Sequence, residues 1–190
     1  MNGRLPEAFI FMKVGNHAGE DFQQILARKR RELQAAGRIF WGYGGLTCHP
    51  IHHVQPFCSL HLKKENGIYL LMEEIDSRAV PEVAEAREYS TDGIHWEPLP
   101  RGISVIGSRY ALVLDEITPG DLDLNMDAYV VGIGRSSGKR ASEYLRGHVD
   151  KGCFVKGDEG TPAPERALVK HMKLKARLQE PFAVLLRGEE

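Results

Sequence analysis

Apolar residues in this chain gather into short runs broken by glycine, proline and charge, and the spacing inside each run separates strands from helices. Residues 8–14 are almost continuously apolar and end at Gly15, the pattern of a buried strand. From Phe22 the period changes. Phe22, Ile25, Leu26 and Leu33 recur at near-helical spacing, Glu20 and Asp21 stand where the helix dipole favours acids, and Gly37 follows the last turn. Residues 39–43 and 68–75 read as a second and a third strand, with a short helix over 55–65 started by Pro56 between them. Further strands are expected at 103–106, 110–117 and 128–133, punctuated by Gly107, Pro119-Gly120 and Gly132. A helical stretch over 138–149, a short strand near Phe154 and a loop at 160–164 follow. In 170–178 the period is two: Met172, Leu174, Ala176 and Leu178 alternate with His171, Lys173, Lys175 and Arg177. Gln179-Glu180-Pro181 then predicts a turn into 182–186, a C-terminal hairpin.

Residues 89–96 carry Asp92-Gly93, and that pair supplies the positive φ angles of a type I′ hairpin turn. Ser90, Asp92, Gly93 and Trp96 look something like the Asp-box hairpin of sialidase-type propellers. That pattern, however, has another residue between Asp and Gly and repeats along its chain, whereas here it occurs once. Strands outnumber helices and most are linked as hairpins. The expected class is therefore α+β: a bent, mostly antiparallel sheet or partial barrel with two or three covering helices, residues 1–190 forming a single domain. The order of elements resembles PUA-like barrels in shape, without a family motif behind the likeness.

Composition narrows the class further. The chain has 190 residues, 42% hydrophobic and 27% charged, with three cysteines and a formal net charge of −1. No apolar run approaches the ~18 residues of a membrane span, and the first residues lack a signal-peptide core, so the expectation is a cytoplasmic protein without membrane contact. Cys48, Cys58 and Cys153 are too few for a disulfide framework. The small net charge conceals asymmetry: residues 1–72 sum to +4, 73–127 to −9 and 128–190 to +4. Two basic flanks on one face could attract an anion, while the acidic middle could dock on a basic protein partner.

Four segments carry candidate chemistry. In residues 39–45, Trp41 and Tyr43 share a strand face and could stack on a flat ligand, while Gly42 and Gly44 on the other face admit a close neighbour. Cys48, His49, His52, His53, Cys58 and His61 fall within fourteen residues. They are zinc-type ligands, although their spacing matches no standard finger; alternatively His49, His52 and His53 hydrogen-bond a base or phosphate. Residues 132–140 form a glycine-rich turn whose Arg135, Ser136, Ser137, Lys139 and Arg140 could hold an anion. It lacks both the Walker spacing and the dinucleotide fingerprint. His171, Lys173, Lys175 and Arg177 form a row of charge at ~7 Å steps, close to a nucleic-acid backbone repeat. Residues 121–127 begin like a calcium loop, but Met126 stands where the loop needs glycine. Arg28-Lys29-Arg30-Arg31 reads as solvated helix surface.

These segments point first to a domain that binds a nucleotide-like or nucleic-acid ligand, without required catalysis. Trp41 and Tyr43 would stack, His49, His52 or His53 would hydrogen-bond, and Arg135, Lys139, Lys173, Lys175 and Arg177 would meet phosphates. The alternatives are a metal-dependent, zinc-type hydrolase using Cys48, His49, His53, Cys58 and His61, and an assembly or inhibitor subunit docking through its acidic segment.

Overall fold

The structure, a computed structural model, describes residues 5–44, 49–65, 67–76, 84–146, 149–158 and 166–188. Nine strands and three α-helices follow one another as β1 (Ala8–Val14), α1 (Phe22–Ala36), β2 (Ile39–Gly42), α2 (Ile51–Glu65), β3 (Tyr69–Glu74), β4 (Ala86–Ser90), β5 (Glu97–Pro98), β6 (Tyr110–Asn125), β7 (Tyr129–Val131), α3 (Ala141–Leu145), β8 (Lys151–Lys156) and β9 (Val169–Gly188), with a 3-10 turn at Met126–Ala128. All strands join one open sheet in the order β2-β6-β9-β3-β1-β8-β7. β4 adds to the far end of β9 and carries β5. β1 and β3 are the parallel pair, because α1, β2 and α2 lie between them in the chain; every other pairing is antiparallel. The mostly antiparallel sheet expected from the hydrophobic pattern is therefore present, as an open sheet with one parallel pair among its described strands. Among the described residues no helix is long and apolar enough to cross a membrane.

Alternation divides the core between the two faces of the sheet. Ala8, Ile10 and Val14 of β1 pack with Phe22, Ile25 and Leu26 of α1 and with Val54, Phe57 and Cys58 of α2. Phe9 and Phe11 face the other way, toward Tyr129, Phe154 and α3 residues Ala141 and Leu145. The Phe9 ring meets Tyr129 edge-on at 5.0 Å between centroids, an arrangement that aromatic quadrupoles favour. A third cluster forms where Phe40 meets Val113 and Val184 under Ile103 and Val105.

Several elements differ from the sequence expectation for local reasons. β9 is one strand of 20 residues, and no C-terminal hairpin forms. Its pairing with β6 jumps from Leu114 opposite Leu178 to Leu112 opposite Ala183, so residues 179–182 loop out as a bulge. Pro181 has no N–H to give the ladder and Phe182 takes φ 64° there. The Gln55 side chain of α2 fills in, donating to the carbonyls of Pro181 at 3.2 Å and Ala183 at 2.8 Å. Likewise β6 runs through Pro119-Gly120 as an irregularity, since Gly120 lies against the Met172 carbonyl with no room for a Cβ. α2 begins at Ile51, one turn before Pro56, which sits inside the helix. At the Asp92-Gly93 hairpin only Gly93 has positive φ, so no type I′ turn forms; Tyr89 pairs with Glu97 across a longer loop in which Asp92 accepts from the amides of Ile94 and His95, each at 2.8 Å. Residues 103–106 form no strand, contributing one bridge from Ile106 to Glu85. The helix expected over 138–149 is confined to α3, and the loop expected at 160–164 lies outside the described residues.

α1 is capped reciprocally by Asp21 and Gln24 and closed by Gly37 at φ 68°. Its basic run is only half solvated. Arg30 and Arg31 are exposed, whereas Lys29 is 3% exposed. Its ammonium donates to Glu32 at 2.9 Å and to the carbonyls of Phe40 at 2.7 Å and Ser104 at 2.8 Å. Arg28 adds contacts to Glu20, Glu32 and the same Ser104 carbonyl. The helical pattern alone makes the run solvent-facing, because two of these acceptors, the Phe40 and Ser104 carbonyls, come from β2 and from a loop more than seventy residues away. Burial lowers the Lys29 pKa to about 8. Lys29→Met leaves Glu32 and two carbonyls without this cation. It is expected to lower the unfolding free energy in urea by about 3–5 kcal/mol, whereas Arg30→Met changes it by no more than about 0.5 kcal/mol.

Candidate functional site

The alternation predicted for residues 39–43 holds, but both rings turn into packing. Ile39, Trp41 and Tyr43 join the core beneath α1 and α2 while Phe40 faces the opposite cluster. Trp41 is 3% exposed and its Nε1 donates to Met12 Sδ at 3.3 Å. Tyr43 is fully buried, with its hydroxyl 3.4 Å from the Phe11 carbonyl. Gly42 and Gly44 do admit close neighbours, and those are the chain's own Ser108 and Tyr110. Trp41 borders a hollow of about 130 Å³ with Met12 and Lys29. That is below the ~300 Å³ at which ligand pockets begin.

The histidine cluster and the glycine-rich turn, eighty residues apart in sequence, meet in space. A Cβ on Gly134 would lie 3.3 Å from Nδ1 of His49 and 4.0 Å from Nδ1 of His53, so this glycine lets the turn rest on both rings. The His49 ring lies parallel to that of Tyr144 at 6.3 Å, and its backbone carbonyl accepts from the Tyr110 hydroxyl at 2.5 Å. Its Nε2 is buried without a hydrogen-bond partner among the described residues. Burial, with the neighbouring His53, holds the His49 pKa below the ordinary histidine value. His52 and His53 are exposed with rings 4.5 Å apart. The turn itself uses several of its amides: Ser137 donates to the Gly134 carbonyl, Gly138 to Val131 and Lys139 to Ser136. Arg135 and Lys139 are exposed.

Cys48 lies outside the described residues. Cys58 is fully buried in the core, and its thiol is pushed up to about 12 by burial. His61 stands against the Phe57 ring at 4.6 Å and borders a hollow whose lining includes neither His49 nor His53. Among the described residues no group of three or more His, Cys, Asp or Glu side chains is placed to hold a metal ion. Asp127, from the calcium-like segment, is held by the Ser142 hydroxyl and the Leu168 amide.

The basic row on β9 keeps its predicted face, and its neighbours answer most of its charge. His171 meets Asp123 at 2.8 Å, Lys173 lies 3.9 Å from Glu74, and Arg177 binds Asp115 through two hydrogen bonds at 2.8 Å and 3.1 Å with Glu116 at 3.5 Å. The acids come from β3 and β6, the strands flanking β9. Lys175 differs. Its ammonium stands over the Tyr69 ring, 3.9 Å from the centroid, and it enters no ion pair among the described residues.

Lys175 also borders a cavity of about 750 Å³, within the size range of small-molecule sites. Lys64 from the end of α2, Lys156 from β8 and His61 line it too, together with the apolar residues Ala8, Leu71, Leu122 and Val155. Among the described residues the acid on the lining is Glu7, 3.7 Å from Lys156. Lys156 also borders an adjoining hollow of about 530 Å³ that contains Lys139. Lys64, Lys156 and Tyr69 were not singled out in the sequence. They sit at the ends of separate elements, and no spacing connects them. Comparison with family models, with curated proteins and with solved structures gives no match for this chain.

Since His49 titrates lower in the fold than at the unfolded value of 6.5, the unfolded chain binds more protons in the window between the two. Stability is therefore expected to fall as pH drops from 7.5 through that window. His49→Gln should show a shallower acid loss of its urea midpoint; an unchanged slope contradicts the assignment. Burial also lowers His61, with the same sign, so the comparison between wild type and variant isolates His49.

Proposed function

We propose that the protein binds a nucleotide-like anion in the 750 Å³ cavity, with phosphate oxygens at Lys64, Lys156 and Lys175 and the flat group on the apolar wall of Leu71 and Leu122. One observation carries the reading: among the described residues three lysines and a histidine line one hollow whose only carboxylate is Glu7, and apolar side chains line it with them. Such a cluster of like charge in a concave site is costly without a counter-ion, and an anion of matching size relieves it. The reading keeps Lys175 and moves the flat-ligand contact away from Trp41 and Tyr43, which are core residues. Lys139 stands in the adjoining hollow, within the reach of a longer ligand such as a short single strand. Catalysis is not part of the proposal. The acidic segment offers less support for docking on a protein partner, since Glu73, Glu74, Asp115, Glu116 and Asp123 already face cations of β9.

We also propose a cytoplasmic location, which fits the buried free thiol of Cys58. For the bent sheet we propose a PUA-like outline, a likeness of shape that adds nothing to the ligand reading.

Calorimetric titration with nucleoside mono- and triphosphates and with short single-stranded oligonucleotides tests the proposal. Binding is expected to weaken steeply as salt rises. Lys175→Ala and Lys64→Ala should each lose about tenfold in affinity, ~1.4 kcal/mol, while Lys173→Ala, whose cation faces Glu74, stays within about twofold. Absence of binding at low salt, or binding indifferent to salt, refutes it.

A further inference from the structure

We propose that Tyr69 is a positioning residue for the anion: its ring holds the Lys175 ammonium in place without neutralising it, so that an incoming phosphate meets an ordered and still uncompensated cation. The inference rests on the cavity reading above and adds how the site is kept ready. On the ladder Leu71 lies opposite Lys175 and Tyr69 opposite Arg177, so Lys175 reaches its ring across the diagonal. Arg177 does not compete for the ring, because Asp115 grips it through two hydrogen bonds.

The contrast along β9 carries the argument. Lys173 and Arg177 each have a carboxylate within ion-pair distance that answers their charge, and His171 hydrogen-bonds to Asp123. A carboxylate at position 69 would order Lys175 as firmly, but it would also cancel the charge a phosphate needs. An aromatic face attracts a cation through its quadrupole while carrying no charge of its own. A lysine stem left free samples many rotamers, and that freedom must be lost when a ligand binds. Placing the ring under the ammonium, 3.9 Å from its centroid, removes much of that loss beforehand. It follows that the flat part of the ligand lies on the apolar wall, because the Tyr69 face is already covered.

Titration of inorganic pyrophosphate and of a nucleoside triphosphate into wild type, Tyr69→Phe, Tyr69→Leu, Lys175→Ala and the Leu–Ala double variant tests this. Tyr69→Phe retains the ring and should bind within about twofold of wild type, while Tyr69→Leu should weaken both probes three- to tenfold. The double variant should be no weaker than Lys175→Ala alone, because the ring acts only through that lysine. Losses that multiply in the double variant, or a Tyr69→Phe loss equal to that of Tyr69→Leu, overturn the role of Tyr69 and leave the cavity reading standing. Wild type that binds neither probe removes both.

Discussion

The fold depends on the two-sided pairing of β9. This strand joins β6 along most of its length, β3 at its middle and β4 at its end, so it ties the strands of the open sheet together. Its inward residues, Met172, Leu174, Ala176 and Leu178, enter the core. Its outward residues would place four basic side chains in a row, an arrangement that repels unless neighbouring strands answer it. β3 and β6 come from the acidic middle of the chain, and they supply Glu74, Asp115, Glu116 and Asp123 at the required positions. The uneven charge along the sequence is thus resolved largely across one ladder.

The same constraint selects the candidate site. Once three of the four β9 side chains face acids, Lys175 is left beside a ring, and the fold brings Lys64, Lys156 and His61 toward it from α2 and β8. A cavity with excess positive charge is then a consequence of how the charges are distributed among the strands. The buried Lys29–Glu32 pair of α1 shows the opposite solution, in which the donors of the cation are used internally and nothing is left for a ligand.

Local patterns made much of the fold legible. The period of two in 170–178, the helical spacing from Phe22 and the apolar run ending at Gly15 depend on neighbours in the chain, and each appears where the spacing places it. Less was legible where distant partners decide. Pro181 reads as a turn from its own sequence, yet it is a bulge because Gln55 receives the freed carbonyls. Trp41 and Tyr43 alternate as expected, but whether a strand face meets solvent or helices depends on α1 and α2. Arg28 and Lys29 resemble solvated charge until the Ser104 carbonyl and Glu32 are placed beside them. For the site, the type and face of Lys175 were readable, whereas Lys64, Lys156 and Tyr69 acquire meaning only from tertiary contact.

The most direct test of the central claim, that among the described residues β9 leaves Lys175 outside any ion pair and available to a ligand, is lysine acetylation footprinting by mass spectrometry with and without a bound nucleoside triphosphate. The account predicts that nucleotide protects Lys175, Lys64 and Lys156 while Lys173 and Lys170 react at the same rate in both states. Equal protection of Lys173 and Lys175, or no protection at Lys175 under saturating nucleotide, would contradict it.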